Sequence, residues 1–403
     1  MKIVVAMDSF KGSLTAVRAC DIVAEAIRSV LPRLDGARRS QAEVVTKPMA
    51  DGGEGTASVL MVAAGGQWIP RTVMGPLPDM HVNGGFVWFE EPAQTATAVV
   101  EMAAASGLTL LPPERRNPLS TTTYGTGQLL KAAIDYGARR ILLAVGGSAT
   151  VDGGVGAAVA LGWRFLTKDR QQIGFGGGEL SQIAKIVGPR VAACPESGPV
   201  RRGRSMRRNG TDRGVEVLCD VDNPLCGEHG AARVYGPQKG ATPQMVETLD
   251  AGLAHLARLI RDQLGRDVAD LPGAGAAGGL AAGAVAFMNA RLVQGIDTVM
   301  SQSRLQEAMT DADWVITGEG CFDEQSLRGK VVSGVARLAK ATDTKVCVLA
   351  GQVLVPAEKY RAAGIQTALA CMDNQMQLDY AIANAEPLLD RAARRFATDY
   401  LNT

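Results

Sequence analysis

The chain opens on a nearly unbroken apolar run, Ile3, Val4, Val5 and Ala6. Such a run predicts a strand covered on both faces, as in a parallel sheet. It ends in Asp8, Ser9, Lys11 and Gly12, and then apolar residues recur at helical spacing: Val17, Cys20, Val23, Ala24, Ile27, Val30 and Leu31. Ser13 or Thr15 is placed to cap that helix. A second short strand is expected at Glu43–Lys47 and a helix at Thr56–Ala64, closed by Gly65 and Gly66. From Gln67 the texture changes to short β-like runs, Ile69–Met74, Gly85–Glu90 and Ala98–Met102, set apart by Pro and Gly. The pattern then predicts a helix over Gln128–Tyr136, strands at Ile141–Val145 and Val215–Cys219, and a long amphipathic helix over Pro243–Leu264.

Beyond about residue 293 strand and helix alternate again. Strands are expected at Trp314–Thr317, Lys345–Ala350 and Ile365–Ala370, with helices near Lys330–Ala341, Pro356–Ala363 and Leu378–Tyr400. Five strands outside the middle section, alternating with helices, satisfy an α/β fold with a doubly wound, flavodoxin-like parallel sheet of order 2-1-3-4-5. Right-handed crossovers place the first strand beside the one at 314–317. Residues 1–67 and 293–403 are thus expected to form one discontinuous domain, and 68–292 a large second α/β domain inserted between strands two and three.

Composition narrows the function classes. The 403 residues are enough for two cores. A net charge of +1 provides no global field for nucleic acid or an anionic membrane, and aromatic residues at 4% are too sparse for base-stacking surfaces. The basic run Arg201–Arg213 lacks interleaved aromatics and reads as a solvated loop. The seven cysteines are scattered with no CxxC pair, which points to a reducing cytoplasm rather than to disulfides or zinc. No signal peptide or membrane span is evident, so a cytoplasmic protein with small-molecule substrates is expected, a homodimer being left open.

The chemistry collects in the polar loops that end strands. After the second strand come Asp51, Gly52, Gly53 and Glu54; after Ile141–Val145 come Gly146, Gly147, Ser148, Ala149 and Thr150; after Trp314–Thr317 come Glu319 and Asp323. Glycines let backbone approach a ligand, and hydroxyls and N–H groups suit a phosphate. Asp220 and Asn223 follow another strand, where the carboxylate can hold Mg²⁺ or close a turn, and Lys239 lies in a further glycine-flanked loop. Helix capping and mutual pairing of Asp8 with Lys11 are the competing account of the first loop. Glycine loops, a lysine and several carboxylates fit phosphoryl transfer with Mg²⁺. No Walker loop or protein-kinase signature is present, and none of the three histidines lies in these loops, so a histidine base or triad is not expected. Gly273–Gly278 matches the dinucleotide fingerprint letter for letter, yet it follows a polar segment ending in Pro272 instead of a strand. Close helix packing accounts for it better.

Several separated motifs together resemble the bacterial glycerate kinase family: Ala6–Ser13, Ala50–Thr56, Thr122–Gly127, Gly146–Thr150, Cys219–Pro224, Tyr235–Gly240 and Thr317–Gly320. The resemblance spans essentially the whole chain. It implies ATP-dependent phosphorylation of D-glycerate, usually to 2-phosphoglycerate, in an interdomain cleft. On that reading Asp8, Asp51, Glu319 and Asp323 divide Mg²⁺ binding and activation of the substrate hydroxyl, with Asp8, Asp51 and Asp323 as the metal set. Lys11 meets the substrate carboxylate or the transferred phosphoryl. Ser9, Gly12, Gly52, Gly53, Glu54, Gly147, Ser148, Thr150, Asp220, Asn223 and Lys239 complete the substrate and phosphate contacts. Four positions depart from the family's usual residues: Met7 for proline, Val151 for asparagine, Cys321 for arginine and Glu324 for serine. Losing a guanidinium removes five donors and a fixed charge. A kinase for another small hydroxy acid, and a ligand-binding or regulatory relative without turnover, therefore stay open beside the glycerate reading.

Overall fold

The structure is a computed structural model, and it describes residues 1–33, 42–90, 95–189, 214–373 and 375–401. The basic run Arg201–Arg213 and Cys194 lie outside the described residues. The chain divides into two compact units. One comprises Met1–Asp51, Ser58–Ala63 and Ile296–Thr403, the other Gly52–Ala57 and Ala64–Gly295.

The first unit is built on five parallel strands, in the spatial order Glu43–Thr46, Lys2–Met7, Trp314–Gly318, Lys345–Ala350 and Thr367–Ala370. This is the doubly wound order 2-1-3-4-5. The first strand is central: Ile3 sits opposite Val44 on one side and Trp314 on the other. Ile3 to Met7 are completely buried, which is why the run carries no polar alternation. Helix Ala16–Val30 starts where Thr15 Oγ1 accepts from the Arg18 N–H at 3.2 Å. Its stripe of Ala19, Cys20, Val23 and Ile27 joins Leu389, Ala393 and Phe396 of the C-terminal helix in one core.

The sequence pattern predicts a single last helix over 378–400, but the structure breaks it into Leu378–Ala383 and Ala385–Tyr400. Asn384 stands at the break with φ −116° and ψ 26°, its side-chain amide donating to the Tyr380 carbonyl at 2.8 Å. An asparagine that satisfies backbone with its own side chain competes with helix continuation. The short first piece is thereby free to diverge from the core-packed second piece.

The second unit carries a six-stranded mixed sheet in the order Arg291–Val293, Gly214–Leu218, Arg140–Ala144, Ala96–Glu101, His81–Glu90 and Gln67–Met74. The first four are parallel and the last two continue as an antiparallel meander. Helix Pro243–Leu264 has the expected bounds, with Thr242 as its cap. Helix Tyr124–Tyr136 begins four residues before the expected Gln128. Its first turn holds Gly125 and Gly127, where an added Cβ would stand 1.9 Å from the Met74 carbonyl oxygen and 2.4 Å from that of Ala157. These glycines are helical residues pressed against neighbouring backbone, and local propensity alone reads them as loop.

The Gly273–Gly278 run follows no strand. A Cβ on Gly278 would lie 1.9 Å from the Thr150 carbonyl oxygen, and one on Gly275 2.3 Å from that of Pro224. The glycines thus let this segment cross two loops at backbone contact and have no need of a nucleotide to explain them.

Candidate active site

In the first unit, the segments that follow all five strands at their carboxyl ends line one cavity of about 370 Å³. Asp8, Ser9 and Lys11 follow the first strand, Glu319 and Asp323 follow Trp314–Gly318, and Asp51 ends the segment that runs on from the edge strand. The strand pairing is carried past its last residues by the Asp8 N–H donating to the Gly318 carbonyl at 2.8 Å. The Met49 N–H likewise donates to the Met7 carbonyl at 2.9 Å. Both bonds aim the following carboxylates at the sheet edge. The turn Phe10–Leu14 is closed by reciprocal backbone bonds of 2.9 Å, with Gly12 at φ +80°. That conformation holds Lys11 out at the cavity as an exposed side chain.

The carboxylates crowd one another. Burial first, and then the neighbouring Asp51, push the Asp8 carboxyl up to about 8, with Glu319 adding to the effect. The Ser9 N–H, which donates to Asp8 Oδ1 at 2.6 Å, and the Lys11 ammonium pull the other way. Burial also raises Glu319, against the opposing influence of Ser326 and Lys330. Glu319 Oε1 is buried without a hydrogen-bond partner among the described residues. An acidic, partly dehydrated cluster of this kind is a receptor for a cation or for a proton.

Asp323 lines the cavity and also closes a turn with one of its oxygens. Its Oδ1 accepts from the N–H groups of Gln325 at 2.8 Å and Ser326 at 3.2 Å, closing a turn. Among the described residues no group of three or more His, Cys, Asp or Glu is arranged to hold a metal ion, so the set Asp8, Asp51 and Asp323 is not assembled as a cage. Mg²⁺ is commonly held by one or two carboxylates with water and substrate phosphates. Asp8 and Asp51 suit that smaller role, because a divalent charge would relieve the repulsion that raises Asp8.

The second unit holds its own polar constellation. The Lys239 ammonium donates to Ser148 Oγ at 2.7 Å and to the Thr150 carbonyl at 2.8 Å. The residue is almost wholly buried, and that burial pushes its pKa down to about 7 against the pull of Asp152. Thr150 Oγ1 is buried without a partner among the described residues. Gly146 and Gly53 bring two glycine loops together, since a Cβ on Gly146 would lie 2.5 Å from the Gly53 Cα. A Cβ on Gly52, at φ +90°, would lie 3.0 Å from Leu218. Glu54 belongs to this unit, where its charge helps to raise the buried Glu101.

Asp220 and Asn223 serve their own loop. Asp220 Oδ1 accepts from the Gly295 N–H at 2.8 Å, and Asn223 is bonded through both ends of its amide, to the His229 carbonyl and the Tyr235 hydroxyl. Asp152, which sequence reasoning missed, is fully buried and accepts from the N–H groups of Thr123, Gly154 and Gly156. Its signal was available: an acidic residue directly before Gly153 and Gly154 at a helix start. Lys330, at the cap of helix Val331–Thr342 and lining the first unit's cavity, was also missed.

Residues 3–401 match the model of the glycerate kinase family. The chain is 43% identical over 400 residues to a glycerate kinase of Halalkalibacterium halodurans, covering 98% of this chain and 97% of that one. It is 39% identical over 402 residues to a glycerate 2-kinase of Escherichia coli, with the same coverage. A crystal structure from Salmonella typhimurium LT2, provisionally named glycerate kinase 2, superposes with a TM-score of 0.79 at 38% identity and covers 99% of this chain and 97% of that one. The chain belongs to the glycerate kinase family. It is therefore a phosphotransferase with an alcohol acceptor.

Proposed function

We propose that this glycerate kinase transfers the γ-phosphoryl group of ATP to D-glycerate, with Mg²⁺, and releases ADP and 2-phosphoglycerate. The observation that carries the reading is Asp8, raised first by its burial and then by Asp51 and Glu319, on a cavity that Lys11 also lines. The 2-hydroxyl oxygen attacks the γ-phosphorus, the bond to the β,γ-bridging oxygen breaks, and the hydroxyl proton passes to a carboxylate. Glu319 is assigned that proton, because its Oε1 is buried and unpartnered while a metal-bound carboxylate makes a poorer base. Asp8 and Asp51 would hold Mg²⁺, which when bound neutralises charge on the transferring phosphates. Lys11 adds a positive charge at the same cavity, and Ser9 and Gly12 shape its loop.

In the second unit, Ser148 and Thr150 would offer donors to an anionic group from the loop after Gly146–Gly147, beside Gly52–Gly53, with Lys239 behind them. Glu54, Asp220, Asn223 and Asp323 act on this reading by holding loops in place. Among the described residues no helix is long and apolar enough to cross a membrane, and the reading is of a cytoplasmic enzyme.

The test is ADP release with Mg²⁺ across D-glycerate, L-glycerate, tartronate and glycolate, with phosphorus NMR of the product. D-Glycerate should be preferred and the new phosphate should sit on the 2-hydroxyl. Turnover of another hydroxy acid in preference would move the substrate assignment to that acid, a reading that Cys321 on the cavity wall favours. Turnover of none of the four would remove the kinase reading.

A further inference from the structure

The cavity of the first unit carries a positive group that the proposed reaction leaves unused. Lys330 lines it together with Lys11 and the carboxylates of Asp8, Asp51, Glu319 and Asp323. Lys330 is half-buried and stands immediately before helix Val331–Thr342. Its main chain is fixed there, because its carbonyl accepts from the Gly334 N–H and the Ser333 hydroxyl, both at 2.9 Å. Its ammonium makes no capping bond and has no hydrogen-bond or ion-pair partner among the described residues. A half-buried, unpaired ammonium in a cavity rich in carboxylates serves a ligand better than it serves the fold.

The two lysines attend to different carboxylates. Lys11 draws Asp8 down against the burial that raises it. Burial likewise raises Glu319, and there the Ser326 hydroxyl and then the Lys330 ammonium oppose it, while Asp323 and Asp51 add to the rise. The Cys321 thiol, two residues on, is raised by burial and is also drawn down by Lys330. Between these two residues lies Gly320, where a Cβ would stand 3.6 Å from the Phe10 Cα and 3.7 Å from the Lys11 backbone nitrogen. Lys11 thus sits on the loop that packs against Gly320, and Lys330 acts on the residues that flank this glycine.

We infer that Lys330 binds the carboxylate of the acceptor and thereby sets its adjacent hydroxyl against Glu319. The inference rests on the kinase reading and deepens it by naming the residue that selects an acid over a neutral alcohol. In a 2-hydroxy acid the carboxylate and the reacting hydroxyl are carried on adjacent carbons. A cation that holds the first must therefore stand beside the base that serves the second, and Lys330 meets that requirement at Glu319. Lys11, beside Asp8, belongs with the groups assigned to the metal and the phosphates. An acidic cavity also repels a carboxylate unless a charge-assisted hydrogen bond offsets the repulsion.

Lys330→Met keeps the aliphatic stem and breaks no bond of the fold, so it should melt as wild type does. Steady-state kinetics with D-glycerate and with D-glyceramide, whose amide is neutral where the acid is charged, test the inference. Wild type should prefer D-glycerate in kcat/KM by at least about tenfold. In Lys330→Met, KM for D-glycerate should rise about tenfold or more with kcat within about threefold. KM for ATP and turnover of D-glyceramide should stay within about twofold. Lys330→Arg should recover most of the loss, since it restores the charge. Equal losses with both acceptors, a fall in kcat at unchanged KM, or wild-type kinetics in Lys330→Met would overturn the assignment. Calorimetry of the full-length protein with D-glycerate, in Mg²⁺ and ADP, separates this from the kinase reading. A protein that turns over no hydroxy acid, yet binds D-glycerate about tenfold more weakly as Lys330→Met, would sink the kinase reading and leave the carboxylate site standing. Equal affinity for D-glycerate in wild type and variant, or none in wild type, would sink the site.

Discussion

Lys239 and Ser148, 91 residues apart in sequence, are joined by a 2.7 Å hydrogen bond from the ammonium to Oγ, with the ammonium nearly sealed from solvent. Because Ser148 accepts from the lysine, its own proton is left to point elsewhere. A buried positive charge behind a glycine loop strengthens whatever donors that loop offers to an anion. Lys239→Met keeps most of the stem and removes the charge. We expect kcat/KM to fall by roughly tenfold to a hundredfold, with Ser148→Ala losing less. Steady-state kinetics beside a thermal melt would decide it: wild-type kinetics in Lys239→Met would make the pair purely structural.

The same lysine gives stability a pH dependence with a defined sign. Its pKa is about 7 in the fold, below the ordinary lysine value of 10.5, because burial disfavours the charged form. Between those values the unfolded chain binds the extra proton, so stability rises with pH through the window and is lost as pH falls toward 7. Below about 7 both states are protonated and the penalty is complete, a few kcal/mol. Urea unfolding from about pH 7 to about pH 10 should show the rise in wild type and a flatter profile in Lys239→Met. An equally steep profile in the variant would assign the slope to other groups.

The first unit's sheet was legible because each of its strands is a short apolar run closed by a polar or glycine turn, and parallel order then follows from crossover handedness. The residues Asp8, Lys11, Asp51, Glu319 and Asp323 could be nominated together because chemistry in such sheets gathers at carboxyl edges, and all five do line one cavity. What stayed hidden depends on tertiary contact. Gly125 and Gly127 read as loop until the carbonyls of Met74 and Ala157 are seen against them. Leu378 and Ile382 carry the same helical periodicity as core residues, yet in the fold they line a cavity.

Gly278 offers a stability test beside the Lys239 cluster, since the Thr150 carbonyl it meets also accepts from Lys239. Its φ is +64°, and a Cβ there would stand 1.9 Å from the Thr150 carbonyl oxygen. Gly278→Ala thus meets backbone strain and an overlap with another main chain, which cannot move aside as a side-chain tip would. A loss of at least about 2 kcal/mol is expected in urea unfolding. Since the overlap falls on Thr150, whose carbonyl accepts from Lys239, activity should also fall when measured well below the melting temperature. A variant as stable as wild type would mean that the Gly273–Gly278 crossing has slack that the close contact does not show.

Lys11 separates the possible roles of the opening loop. It is exposed, so its ammonium contributes little to stability, but it lines the cavity and draws the Asp8 carboxyl down against burial and Asp51. Lys11→Met removes the charge and keeps the aliphatic stem, so the melting temperature should stay within about a degree or two. If the ammonium stabilises charge on the transferring phosphoryl, kcat and kcat/KM should fall together by roughly a hundredfold or more. If it holds only the carboxylate of glycerate, KM for glycerate should rise while kcat survives. We expect the first outcome, because Lys11 stands with Asp8 and Asp51, the residues assigned to the metal and its phosphates. Unchanged kinetics would move the catalytic centre away from the Asp8–Ser13 loop altogether.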